Sequence, residues 1–133
     1  MTNILFVCKY NRFRSKVAEA YFNKLNKDKS IHVRSAGLIK GDPSGKEIIR
    51  EGKKFGFVMK NSTRSLSESL FRWSDIIINV ASDVPSSAFS QAKKHGVKII
   101  MWNVADQKDT LTSQNKIIKI IMKKVEKFVR EFN

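Results

Sequence analysis

Ile4-Leu5-Phe6-Val7-Cys8-Lys9-Tyr10-Asn11-Arg12-Phe13-Arg14-Ser15 is the stretch from which the fold is read. Ile4 to Val7 are four apolar residues in a row, the pattern of a short strand buried on both faces. The run stops at Cys8, and polar or basic residues follow. From Arg14 the apolar residues Val17, Ala20, Tyr21 and Leu25 fall at helical spacing, so a helix begins there. Cys8 to Arg14 is then a tight strand-to-helix loop. Backbone N–H groups at a helix start have no helical partner, and with the helix dipole behind them they form a cradle for an anion. This loop also carries the one cysteine of the chain and, six positions later, an arginine. A thiol at a helix start beside a guanidinium is readily ionised and becomes a nucleophile. The stretch reads as a site for attack on a tetrahedral oxyanion.

The rest of the composition frames that site. A chain of 133 residues, 41% hydrophobic, predicts one domain over 1–133 with enough apolar mass for a core. The segment before Cys8 is too short for a signal peptide, and no apolar run is long enough to span a membrane. A single cysteine excludes an intrachain disulfide and suits a reducing compartment, so a cytoplasmic location is expected. The formal net charge is +14. Such a charge solvates the surface and predicts non-specific nucleic-acid binding that weakens steeply with salt.

Beyond the first helix, Ile31-His32-Val33-Arg34-Ser35 alternates apolar and polar residues, as a half-covered edge strand does, and Ser35-Ala36-Gly37 closes it. Gly41 to Ser44 is a turn. Ser44 with Glu47, and Ser65 with Glu68, have capping-box spacing and predict two helix starts. The first of these helices takes its apolar side from Ile48, Ile49 and the residues to Phe55, and ends at Gly56; the second is short and runs through Leu70 and Phe71 to Trp73. Asp75 to Val80 is nearly all apolar and predicts a central strand. Ser86 to Lys94 predicts a helix and Val97 to Trp102 a fourth strand. A last helix, from about Thr112 to Phe132, carries Ile117, Ile118, Ile121, Val125, Phe128 and Val129 as a stripe. A basic amphipathic helix can lie on a membrane surface, but packing on a sheet explains the stripe more simply. His32 and His95 have no second ligand at metal spacing, so no metal is assigned, and no cofactor is called for. Strands alternating with helices predict an α/β three-layer sandwich, a parallel sheet with helices on both faces. Ligands of such sheets sit beyond the carboxyl ends of the strands, where Cys8 and Asp106 fall.

Cys8-x5-Arg14-Ser15 after a hydrophobic strand, with Asn11 inside it, resembles the phosphate loop of the low-molecular-weight protein tyrosine phosphatases, whose fold is shared with a class of arsenate reductases. Ala18-Glu19-Ala20, the triplet Ser35-Ala36-Gly37 and the middle section from Glu51 to Ile77 extend the resemblance over nearly the whole chain. The departures are Tyr10 for glycine, Phe13 for cysteine, Lys16 for proline, Val80-Ala81 for a Met-Asp pair and Gln107 for proline. The resemblance implies a four-stranded sheet of order 2-1-3-4. It implies that Ser15 donates a hydrogen bond to the thiolate and that Ser35 helps hold Asn11. It also implies an aspartate acid after the last strand. Asp106, four residues after Trp102 as in relatives with Trp-x-x-x-Asp-Pro, is the choice, and Asp109 the rival.

A phosphate monoester is then expected in the cradle, held by the N–H groups of Lys9, Tyr10, Asn11, Arg12, Phe13 and Arg14 and by the Arg14 fork. Cys8 attacks phosphorus to form a cysteinyl phosphate, and Asp106 protonates the leaving group. The expected partners are a phosphorylated protein, above all one with phosphotyrosine, or a small phosphate ester. Inorganic phosphate is the expected product and inhibitor. Two other readings stand beside this one. One is an arsenate reductase that uses an external thiol carrier, since the chain has no second cysteine. The other is a non-catalytic phosphate- or polyanion-binding module of the same fold.

Overall fold

The computed structural model describes residues 1–106 and 111–132. In chain order the elements are β1 (Thr2–Cys8), α1 (Arg14–Leu25), β2 (Ile31–Gly37), α2 (Lys46–Lys54), α3 (Glu68–Trp73), β3 (Ile76–Ala81), a short 3-10 turn (Ser86–Phe89) that runs into α4 (Ser90–Lys94), β4 (Lys98–Val104) and α5 (Leu111–Phe132). The four strands form one sheet in the order β2-β1-β3-β4, as the resemblance implied. Every pairing is parallel, with Cys8 opposite Gly37 and Val7 opposite Asn79. The carboxyl ends of β1 and β3 therefore lie side by side, and each opens into a loop.

The apolar run of β1 shows why the sheet is covered on both faces. Ile4, Leu5, Phe6 and Val7 are all fully buried, each contributing about 1.5–3 kcal/mol of hydrophobic stabilisation. Successive side chains of a strand point to opposite faces. Ile4 and Phe6 accordingly join a core with Val17, Phe22, Ile118 and Ile121, beneath α1 and α5. Leu5 and Val7 join a second core with Leu70, Phe71, Phe89 and Ala92, beneath α3 and α4. Cys8 belongs to this second core and is only 3% exposed. The apolar stripe of α5 is spent on packing, with Ile117, Ile118, Ile121 and Val125 buried. Among the described residues no helix is long and apolar enough to cross a membrane.

Both predicted capping boxes are corrected. α2 is preceded by Gly45, with no side-chain cap, because the Ser44 hydroxyl donates instead to the carbonyl of Arg12, 2.6 Å away. α3 is capped by Ser67, whose hydroxyl accepts from the Leu70 N–H, while Ser65 bridges Gly37. A capping box is a local pattern: before α2 a longer-range partner takes the serine hydroxyl, and at α3 a better-placed neighbour takes the capping role. The apolar side expected of α2 is only half-buried at Ile48 and Ile49; its buried residues are Glu51 and Gly52.

A polar contact ties α5 to α1. The Tyr21 hydroxyl donates to Glu126 Oε2 at 2.6 Å, while its ring packs against Phe57 with centroids 5.8 Å apart. Burial, followed by the hydrogen bond and charge of Glu126, pushes the Tyr21 pKa up to about 12. A folded pKa above the ordinary value of about 10 means that this stabilisation is complete below that pH and is lost as pH rises through the folded value. Tyr21→Phe keeps the ring and deletes the donor. It should cost about 0.5–1.5 kcal/mol in urea unfolding at pH 8. The difference from the parent should shrink between pH 10 and 12; a difference that stays constant across that window would contradict the assignment.

Candidate active site

The loop between β1 and α1 is shaped from outside. The N–H groups of Leu38, Ile39 and Gly41 donate to the carbonyls of Cys8, Lys9 and Tyr10 at 2.9, 2.9 and 3.1 Å. The Ser44 hydroxyl takes the carbonyl of Arg12, and the Arg12 guanidinium reaches back to the carbonyls of Asp42 and Pro43. These bonds commit the loop's carbonyls to the segment after β2. Among the described residues no N–H of Lys9 to Phe13 donates to a backbone carbonyl. This is the polarity an anion cradle requires. Two glycines make the stitching possible. A Cβ on Gly37 would sit 2.7 Å from the Asn11 nitrogen, and one on Gly41 would sit 2.8 Å from the Tyr10 carbonyl oxygen. Between the loop and this outer segment lies an open pocket of about 320 Å³ lined by Tyr10, Arg12, Lys40, Gly41 and Asp42.

Inside the loop, Asn11 takes a left-handed backbone with φ of 56°, a conformation its short polar side chain tolerates. It is fully buried and its amide is fixed at both ends. Oδ1 accepts from the Arg64 N–H at 3.1 Å, and Nδ2 donates to Ser15 Oγ at 2.8 Å. Ser15 Oγ lies 3.0 Å from Cys8 Sγ. Because Ser15 accepts from Asn11, its own proton is available to the sulfur. The expected partnership of Ser35 with Asn11 is corrected. The Ser35 hydroxyl donates to Glu19 Oε1 at 2.7 Å, and the role expected of it falls to Arg64 and Ser15. Lys16, where the family pattern has proline, is buried. Burial pushes its pKa down, Arg64 and Lys60 add to that, and the charges of Glu19 and Cys8 oppose it.

Arg14 is only 4% exposed, and its guanidinium is bound from the end of β4 and from the turn after β3. Nη1 donates to the carbonyl of Val104 at 3.0 Å. Nη2 donates to both oxygens of Asp83, at 2.9 and 3.1 Å. Asp106 Oδ2 lies 3.9 Å from Nη2, beyond hydrogen-bond reach. Val104 follows a bulge: Asn79 pairs Met101 and Ala81 pairs Val104, so β4 carries one extra residue, with Asn103 at φ 55°. The structure thus brings Cys8, Asn11, Arg14, Ser15 and Asp106 to one end of the sheet. Gln107 and Asp109 lie outside the described residues. Asp83 is the residue that the sequence reading missed. Its signal is an acidic residue just past the carboxyl end of the central strand beside β1, two positions beyond Val80-Ala81, where the family pattern has its Met-Asp pair.

The family model for low molecular weight phosphotyrosine protein phosphatase matches residues 3–132. No curated protein sequence matches the chain. Among solved structures, the low molecular weight protein tyrosine phosphatase from T. tengcongensis is 24% identical, with 98% of this chain and 99% of that one covered and a TM-score of 0.85. The arsenate reductase from Archaeoglobus fulgidus is 25% identical over 95% of this chain and 98% of that one, with a TM-score of 0.72. The YwlE arginine phosphatase from Geobacillus stearothermophilus is 20% identical over 98% and 95%, with a TM-score of 0.74.

Proposed function

The chain belongs to the low molecular weight phosphotyrosine protein phosphatase family, and from that premise we propose that it hydrolyses phosphate monoesters, with protein phosphotyrosine as the substrate class. The observation that carries the reading is the line of contacts from Arg64 through Asn11 and Ser15 to Cys8, on a loop whose carbonyls are turned outward. Binding alone needs the cradle and the arginine. It does not need a thiol with a hydroxyl 3.0 Å from its sulfur.

In this reading the Cys8 thiolate attacks phosphorus, an S–P bond forms, and the bond to the leaving oxygen breaks. Asp106 gives that oxygen its proton. The resulting carboxylate takes a proton from water as the water attacks phosphorus. The S–P bond then breaks, returning the thiolate and inorganic phosphate. Ser15 donates to the sulfur as negative charge returns to it. Arg14 and the loop N–H groups bind the phosphoryl oxygens throughout.

The match to an arsenate reductase favours one second reading, thiolate attack on arsenate followed by reduction from outside. With Cys8 the only cysteine, both further thiols must come from a carrier or a small thiol. One experiment separates the two: turnover of p-nitrophenyl phosphate and phosphotyrosine, phosphoserine and phosphoarginine peptides, beside arsenate reduction with glutathione or thioredoxin. Phosphotyrosine should be turned over fastest. Arsenate reduction without ester hydrolysis would replace the proposal with the second reading, and neither activity would leave a binding module.

A further inference from the structure

We infer that Asp83 is a positioning residue, which fixes the Arg14 guanidinium so that phosphate meets an oriented fork. The inference rests on the reading above that Arg14 binds phosphate. The turn that carries Asp83 is itself pinned. Asn79, fully buried within β3, donates from Nδ2 to the carbonyl of Val84 at 3.0 Å, and the Ser82 N–H donates to the carbonyl of Val104 at 3.0 Å. That Val104 carbonyl also accepts Arg14 Nη1, so one oxygen joins the turn after β3 to the arginine with both of its lone pairs. Asp83 completes the clamp by holding Nη2 with both carboxylate oxygens.

The geometry favours a holder over a competitor. Asp83 engages a single nitrogen of the guanidinium, and among the described residues neither Nε nor any loop N–H donates to it. Its side chain is 34% exposed, at the rim rather than in the cradle. Among the described residues Nε donates to none, so the guanidinium edge that carries the Nε proton is left for a ligand. Without Asp83, Nη2 would be a buried charged donor with Asp106 as its nearest described carboxylate, 3.9 Å away. The guanidinium would then be drawn toward the residue assigned as the acid.

Phosphate binding tests this separately from catalysis. In a Cys8→Ser background, Asp83→Ala should weaken inorganic phosphate binding by about tenfold in calorimetry, the scale of one lost charged hydrogen bond. Asp83→Asn keeps one acceptor oxygen in the same shape and should fall between the two. With Cys8 present, KM for p-nitrophenyl phosphate should rise by a similar factor while kcat falls less, and thermal midpoints should confirm that the Asn variant is folded. Unchanged phosphate affinity in both variants would overturn the inference. So would tighter binding, which would make Asp83 a competitor for Arg14. A parent that binds phosphate but hydrolyses no ester defeats the phosphatase reading and leaves this inference to be decided by the binding series. A parent that binds no phosphate defeats both.

Discussion

Cys8→Ser is expected to lower phosphate-ester hydrolysis by about 10⁴-fold or more while leaving phosphate binding in place. The size follows from removing the proposed nucleophile, the one thiol of the chain; loss of a nucleophile from a catalytic unit commonly costs several orders of magnitude. Among the described residues the thiol that serine would replace has a hydroxyl, not a base, as its hydrogen-bond partner. That partner, Ser15, already accepts from Asn11. The replacement is nearly isosteric and sits at a position 3% exposed, so the second core loses little packing. The loop carbonyls remain tied to Leu38, Ile39 and Gly41, and the N–H cradle persists. Steady-state hydrolysis read beside calorimetric phosphate binding separates the two effects. Activity within tenfold of the parent would place the nucleophile elsewhere. Loss of phosphate binding together with activity would mean that the thiol, not the cradle, organises the loop.

The parts of this site that were legible in the sequence are those written in adjacent residues. The β1 run, the stop at Cys8 and the helical spacing from Arg14 place Cys8 at a strand end just before a helix start, and the structure has β1 ending at Cys8 and α1 beginning at Arg14. The alternation of strands and helices was sufficient for a parallel three-layer fold; the strand order came from the family resemblance. What was not legible is contact between distant residues. Ser44 carries a capping-box pattern with Glu47, yet its hydroxyl serves a carbonyl 32 positions away. Ser35 was assigned to Asn11 by analogy, but Glu19 stands closer on the adjoining helix and, as a carboxylate, is the stronger acceptor. Asp83 meets Arg14 across 69 residues, through a turn whose shape depends on Asn79 and on the bulge before Val104. No spacing rule reaches that far. Of the two candidate acids, Asp106 is among the described residues, just beyond β4 and beside Arg14.

That geometry leads to the second large effect. Asp106 lies just beyond β4, its side chain 58% exposed and its Oδ2 3.9 Å from Arg14 Nη2, close to the cradle yet not hydrogen-bonded to its cation. A general acid matters most when the leaving group is a poor one. The phenolate of tyrosine, with a pKa of about 10, departs slowly unless protonated, whereas a nitrophenolate departs readily and gains less. Asp106→Asn should therefore cut hydrolysis of phosphotyrosine peptides by roughly 10²-fold or more and that of p-nitrophenyl phosphate by a smaller factor. Loss of the base for water should slow the second step as well, so a phosphocysteine should accumulate in rapid-quench mass spectrometry with the nitrophenyl ester. Plotting rate against leaving-group pKa for a series of aryl phosphates should give a steeper slope in the variant than in the parent. Asp109→Asn should change neither slope nor rate by more than a few-fold. A steep slope appearing only in Asp109→Asn would move the acid three residues along the loop. If both variants retain the parent's shallow slope, neither aspartate protonates the leaving group, and the acid must be sought among the other groups at the rim, beginning with Asp83.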